Sequence, residues 1–119
     1  MSWGEIEAEP EVAEWLDGLA DEDFGRVEFA IDLLAERGVL LGEPHTRQLR
    51  GKLRELRVNL GVQSDAVRIT YFVVAGRRIV LLTVFKKQRR QERAEIERAA
   101  AAMNRCVAEG HTTGEDDDD

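Results

Sequence analysis

The chain has 119 residues, 43% of them hydrophobic and 34% charged, with a formal net charge of -7 and a pI near 4.9. That length holds one domain, no apolar run approaches the roughly 20 residues of a membrane helix, and Met1 to Glu5 lack the cationic start and hydrophobic stretch of a secretory signal, so a cytoplasmic protein is expected. Cys106 is the single cysteine, which excludes an internal disulfide and a thiolate metal cluster and leaves it as a helix-packing residue.

In chain order, Trp3 to Glu7 is a candidate short strand. Pro10 suits a first helical turn, and Val12, Trp15, Leu16 and Leu19 follow at helical spacing, predicting a helix over 10–19. Asp21 to Asp23 open a second helix with capping groups and favourable negative charge. Its stripe is Phe24, Val27, Ile31 and Leu34, and Gly38 stands where a left-handed cap belongs. Val39 to Gly51 contains Gly42, Pro44 and Gly51 without sustained periodicity and reads as a loop. Three β-like runs follow, Leu53 to Leu60, Ala66 to Val74 and Arg78 to Phe85, joined by connections short enough to imply antiparallel hairpins. A last helix is predicted from about Gln88 to Val107, with Ile96, Ala99, Ala100, Met103 and Val107 on one stripe. These elements make an α+β fold: a small antiparallel sheet packed on two N-terminal helices, with a C-terminal helix. Residues 1–110 form the domain, and 111–119 form an acidic tail expected to be disordered.

The net charge conceals three blocks. Residues 1–42 carry 12 carboxylates against Arg26 and Arg37, residues 43–105 carry 15 Lys/Arg against 6 carboxylates, and 106–119 add only acidic groups. Period-two alternation puts Val67, Ile69, Tyr71 and Val73 on one sheet face and Arg68, Thr70 and Phe72 on the other, with Glu55 and Arg57 opposite Leu56 and Val58. If the early helices cover the apolar face, the other face is open and presents Arg57 and Arg68. Glu55 is an internal salt-bridge partner for one of them. Arg47, Arg50, Lys52 and Arg54 approach from the loop side, and Lys86, Lys87, Arg89, Arg90 and Arg93 from the junction with the last helix. Such an excess of cations suits a phosphodiester, because guanidinium groups bind phosphate oxygens through a bidentate fork and lysine adds a point charge. No histidine or carboxylate cluster has metal-ligand spacing, so no metal and no cofactor is expected; His45 reads as a loop residue and Tyr71 as core.

The order of elements, with Leu53-Arg54-Glu55-Leu56-Arg57, then Val67-Arg68-Ile69-Thr70-Tyr71-Phe72, then Leu81-Leu82-Thr83-Val84-Phe85-Lys86-Lys87, resembles the RelE/ParE toxin superfamily, especially its phage-derived HigB-like branch. The resemblance covers roughly residues 3–107. It implies a RelE-like fold and a toxin of a type II toxin-antitoxin system: an endoribonuclease that cleaves mRNA in association with the ribosome. It further implies a cognate antitoxin, expected to be a helix-turn-helix protein through which alone the complex would reach operator DNA. Carried onto this sequence, it assigns Arg68 to the scissile phosphate and Lys87 to transition-state charge, with Arg57 as the arginine of the Glu-Leu-Arg motif and Lys86 in the same basic pair. Arg47, Arg50, Lys52, Arg54, Arg89 and Arg90 would position RNA. The sequence departs from RelE where that protein has two strand lysines, here Leu53 and Glu55, and a helix tyrosine, here Arg93. A RelE-type general base is therefore not visible, which keeps open a ParE-like inhibitor of DNA gyrase and an inactive antitoxin-binding scaffold.

Overall fold

A computed structural model describes residues 3–88 and 90–109; the acidic tail expected over 111–119 lies outside them. The elements run β1 (Glu5–Ala8), α1 (Pro10–Asp17), α2 (Asp21–Arg37), a 3-10 turn (Gly38–Leu40), β2 (Thr46–Arg50), β3 (Leu53–Leu60), β4 (Asp65–Val74), β5 (Arg78–Lys86) and α3 (Glu92–Ala108). They build one five-stranded sheet in the order β1-β5-β4-β3-β2. The three predicted strands are present with ends shifted by a residue at most, and both early helices form where their stripes place them. Gly38 ends α2 at φ +54, a backbone state favourable to glycine, and a methyl group there would collide with the Trp3 ring. Gly76 and Arg77 both have positive φ, as a tight hairpin between β4 and β5 requires.

Two features correct the sequence reading. The segment read as a loop contains β2, which pairs antiparallel with β3 through Thr46↔Leu56, Arg47↔Glu55 and Gln48↔Arg54. An edge strand needs one partner and little apolar surface, so it carries almost no hydrophobic signature; only Thr46 is buried, its hydroxyl donating to the Leu41 carbonyl at 2.6 Å. The N-terminal segment is indeed a strand, but it lies parallel to β5. The sheet is therefore mixed.

Each face of the sheet has its own core. On one, Leu56, Val58, Ile69, Tyr71, Ile79 and Leu81 pack with Val12 of α1 and Val27 and Leu34 of α2. On the other, Leu53, Phe72, Val74, Val80 and Leu82 pack with Ala99, Ala102 and Cys106 of α3. The second face is thus not open, as expected from the sequence, but half covered. Alanines on the α3 stripe let that helix approach closely, and its apolar contacts occupy the half of the face remote from Arg57 and Arg68. Among the described residues no helix is long and apolar enough to cross a membrane.

β1 accompanies β5 only as far as the Ala8↔Leu81 pair, which leaves the next stretch of β5, paired with β4 on its other side, without a strand on this edge. Side chains take over there. The Val84 amide donates to Glu11 Oε2 at 3.0 Å, the Val84 carbonyl accepts from Arg98 Nη2 at 3.2 Å, and Arg98 Nη1 donates to Glu11 Oε1 at 2.6 Å. The bond to Glu11 is the main reason the Arg98 guanidinium holds its proton more tightly than usual. This clasp ties α1 and α3 across one strand edge. Glu11→Ala should cost about 1–3 kcal/mol, the range for a partly buried backbone donor left unsatisfied, measured by urea denaturation. A loss of a few tenths would show that water replaces the carboxylate there.

Candidate nucleic-acid interface

The antiparallel register brings charged residues from three strands into rows on the face that α3 leaves uncovered. Arg57 stands opposite Arg68, and Arg68 opposite Phe85. In the adjacent row Arg47 is opposite Glu55, Glu55 opposite Thr70, and Thr70 opposite Thr83. The two threonines form a buried, satisfied floor: their hydroxyls are 2.6 Å apart, and the Thr83 amide donates to Thr70 Oγ1 at 3.1 Å.

Glu55, only 1% exposed, lies between the two arginines. Its Oε2 is 3.4 Å from Arg57 Nε and 3.5 Å from Arg68 Nε, while Oε1 has no hydrogen-bond partner. Arg68 is 8% exposed and anchored through Nη1, which donates to the Val67 carbonyl at 3.2 Å. Burial is the largest influence lowering the Arg68 pKa; Glu55 opposes it, Arg57 and Arg47 add to it, and Glu92 opposes it. An arginine so placed still keeps its charge, because a guanidinium is one of the strongest bases a protein carries. Where the sequence assigned one arginine to Glu55, the structure gives it both. One carboxylate then bridges two guanidiniums whose residues stand directly across a strand pair, with Arg47 exposed beside them, and the local surplus is positive.

Lys87 joins this side. Its amide donates to the Ala66 carbonyl at 2.8 Å where the chain leaves β5, and its ammonium is 3.8 Å from Glu92 at the start of α3. Lys86 does not. Its pairing with Val67, past a register shift in the β4–β5 ladder, puts it on the face carrying α1 and α2, where its Nζ is 3.3 Å from Asp65 Oδ2 and it borders an opening with Trp15 and Asp23. The four residues expected around one sheet face thus resolve into Arg57, Arg68 and Lys87 on one side and Lys86 across the sheet.

The cations expected to position RNA are also sorted. Arg47 and Arg90 are exposed, and Lys52 is exposed in the turn between β2 and β3. Arg50 is engaged by both oxygens of Glu97 on α3, at 3.2 and 3.1 Å, which raises the arginine's pKa and lowers that of the glutamate. Arg54 points away from the cluster: its Nε donates to the Tyr71 hydroxyl at 3.3 Å and its Nη2 to Thr46 Oγ1 at 3.0 Å. Even-numbered positions of β3 face the helices, an alternation that was readable from Leu56 and Val58. Arg89 lies outside the described residues. Tyr71 is core, as expected, and His45 is an exposed turn residue. The sequence reading missed Thr70, Thr83 and Glu92, whose parts depend on cross-strand register and on where α3 begins. Among the described residues no three His, Cys, Asp or Glu side chains converge as a metal site would require.

A family model for phage-derived Gp49-like proteins matches residues 14–105. The chain belongs to the Gp49-like family. That family is of the RelE/HigB toxin type, and this member has the RelE fold, an antitoxin being the partner that such a family implies. Among solved structures, it is similar to a free-state double arginine-to-alanine mutant of the E. coli toxin RelE. The two share 17% identity with a TM-score of 0.57, over 88% of this chain and 98% of that one. No curated protein matches the chain significantly.

Proposed function

We propose that this Gp49-like chain is a HigB-like endoribonuclease, acting in the cytoplasm on mRNA at the ribosome, without a metal, and silenced by a helix-turn-helix antitoxin. The observation that carries the reading is the sharing of buried Glu55 between Arg57 and Arg68. A single carboxylate holds both forks in place yet neutralises one charge, and a phosphodiester supplies the second. Arg68 and Arg57 bind its non-bridging oxygens, and Lys87 adds charge from the strand end. In that grip the RNA's own 2′-hydroxyl attacks the phosphorus in line. The P–O5′ bond breaks, the 5′-oxygen leaves with a proton, and a 2′,3′-cyclic phosphate remains. Arg47, Lys52 and Arg90 guide the backbone. Lys86, across the sheet, belongs with this guidance, while Arg50 and Arg54 serve the fold through Glu97 and through Tyr71 with Thr46.

The purified chain, incubated with bacterial ribosomes carrying a defined mRNA, should release fragments ending in 2′,3′-cyclic phosphate and leave gyrase supercoiling unchanged. Intact mRNA with inhibited supercoiling would overturn the ribonuclease reading in favour of a ParE-like activity. Neither effect, with stable antitoxin binding, would make the chain an inactive scaffold.

A further inference from the structure

The opposite side of the molecule carries an unusual concentration of exposed apolar groups. Six large hydrophobic residues stay exposed among the described residues; Phe24, Phe29, Val39 and Leu40 lie on α2 and the turn that follows it, and Val62 lies on the β3–β4 hairpin beside the start of α2. Phe29 is 71% exposed and Leu40 83%. The hairpin is held there by the Gly61 amide, which donates to Asp23 Oδ1 at 3.1 Å, and Val62 shares a depression with Ala20, Glu22 and Arg26. At 100° per residue, Glu22, Gly25, Phe29 and Glu36 fall along the outward side of α2, opposite buried Val27 and Leu34, while Leu33 is partly buried against the core. Scattered surface hydrophobics need no explanation, whereas large apolar side chains gathered on a helix, the turn that ends it and the hairpin beside its start mark an interaction surface.

Gly25 adds an independent sign. It lies one turn before Phe29, within the helix, and a Cβ there would meet nothing within 4 Å. Nothing inside the fold requires a glycine, and alanine would support the helix better. The missing side chain leaves a notch beside an exposed phenyl ring, suited to the close approach of another backbone. The surroundings are acidic: α2 has six carboxylates against Arg26 and Arg37, and Arg26 is already paired with Glu22 at 3.4 Å. A second copy would bring like charge against like. A cationic partner would not.

From these features we infer that the outer face of α2, from Val62 past Gly25 and Phe29 to Leu40, docks a basic amphipathic helix of the antitoxin, on a surface separate from the arginine cluster. The inference rests on the toxin-antitoxin reading. Apolar side chains of that helix would cover Phe29 and Leu40, its backbone would pass over Gly25, and its Lys/Arg rim would meet Glu28, Asp32 and Glu36.

The probe is the protein encoded by the reading frame adjacent to this gene, titrated against the full chain by calorimetry. Phe29→Asp with Leu40→Asp should weaken the complex by about a hundredfold or more, as loss of apolar hot spots does, while mRNA cleavage by the variant stays at the wild-type rate. Gly25→Gln should raise Tm by about 2–5 °C and still weaken binding roughly tenfold, a pairing that a purely structural role for Gly25 would not produce. Wild-type affinity in both variants, with loss of binding in Arg47→Glu plus Arg90→Glu, would place the partner on the cationic face and overturn the inference. A wild-type dimer in light scattering that Phe29→Asp plus Leu40→Asp dissociates would make a second copy the occupant and overturn it as well. A wild-type chain that ignores the probe would overturn the antitoxin reading itself, which is a separate outcome.

Discussion

Glu55→Ala should lower Tm by about 10–20 °C, because removing one partner of a buried ion pair costs about 3–5 kcal/mol in a domain of this size. The reason is geometric. Arg57 and Arg68 are direct cross-strand partners, and Glu55 is the carboxylate bridging their guanidiniums. Without it, like charges face each other across the ladder, one of them on a side chain that is 8% exposed. Phosphate should reverse much of the loss. An anion that binds the folded chain and not the unfolded one stabilises it by about 2.7 kcal/mol at a hundred times its Kd. Titrating inorganic phosphate into the alanine variant should therefore raise Tm by several degrees more than in the wild type, followed by differential scanning fluorimetry. Equal responses in the two proteins would mean that the anion does not enter between Arg57 and Arg68. Glu55→Leu combined with Arg68→Met should recover most of the stability without phosphate, since an apolar replacement of a buried ion pair is often neutral.

How much of this was legible in the sequence follows from what each signal measures. Period-two alternation reports which face a residue takes, so the joint placement of Glu55, Arg57 and Arg68 was readable, and so was Tyr71 in the core. The same alternation places Arg54 on the face covered by α1 and α2, which grouping by charge alone obscured; Lys86 reaches that face only through the register shift between β4 and β5 next to Thr70, which alternation along β5 does not show. Strand β2 was invisible for another reason: its pairing is made by backbone groups, and Thr46 is its one buried side chain. Cross-strand register cannot be read along one strand. Nothing in Val67 to Phe72 says that Arg68 will meet Arg57, or that Thr70 will find the Thr83 hydroxyl at 2.6 Å. The partial cover by α3 escaped because an alanine-rich stripe gives weak amphipathic contrast, although small residues are what let a helix lie close on a sheet.

Replacing Arg68 and Lys87 together by alanine should reduce mRNA cleavage by at least about a thousandfold and relieve growth arrest, given that a single donor to transition-state charge is worth about 10²–10³ in rate. The fold should survive, since Glu55 keeps Arg57 as its partner and Lys87 holds Glu92 only at 3.8 Å near the surface. Single substitutions separate the geometry from the simple presence of charge. Arg68→Lys should still lose about tenfold or more, because an ammonium on that stem gives up the bidentate fork while keeping the charge. Lys87→Ala should slow cleavage at least about tenfold, whereas Lys86→Ala should stay within about threefold, the larger effect going with a charge that meets the phosphate and the smaller with one that only guides the strand. The two lysines are adjacent in sequence and identical in chemistry; the turn of one residue at the end of β5 sends Lys86 to Asp65 and Lys87 to the cluster. Equal losses from both would mean that RNA wraps the strand end rather than lying on the Arg57–Arg68 face. If instead full activity persisted in the double alanine variant, Arg57 and the exposed cations would have to carry the phosphate alone, and the buried Arg68 would be a structural counterion to Glu55.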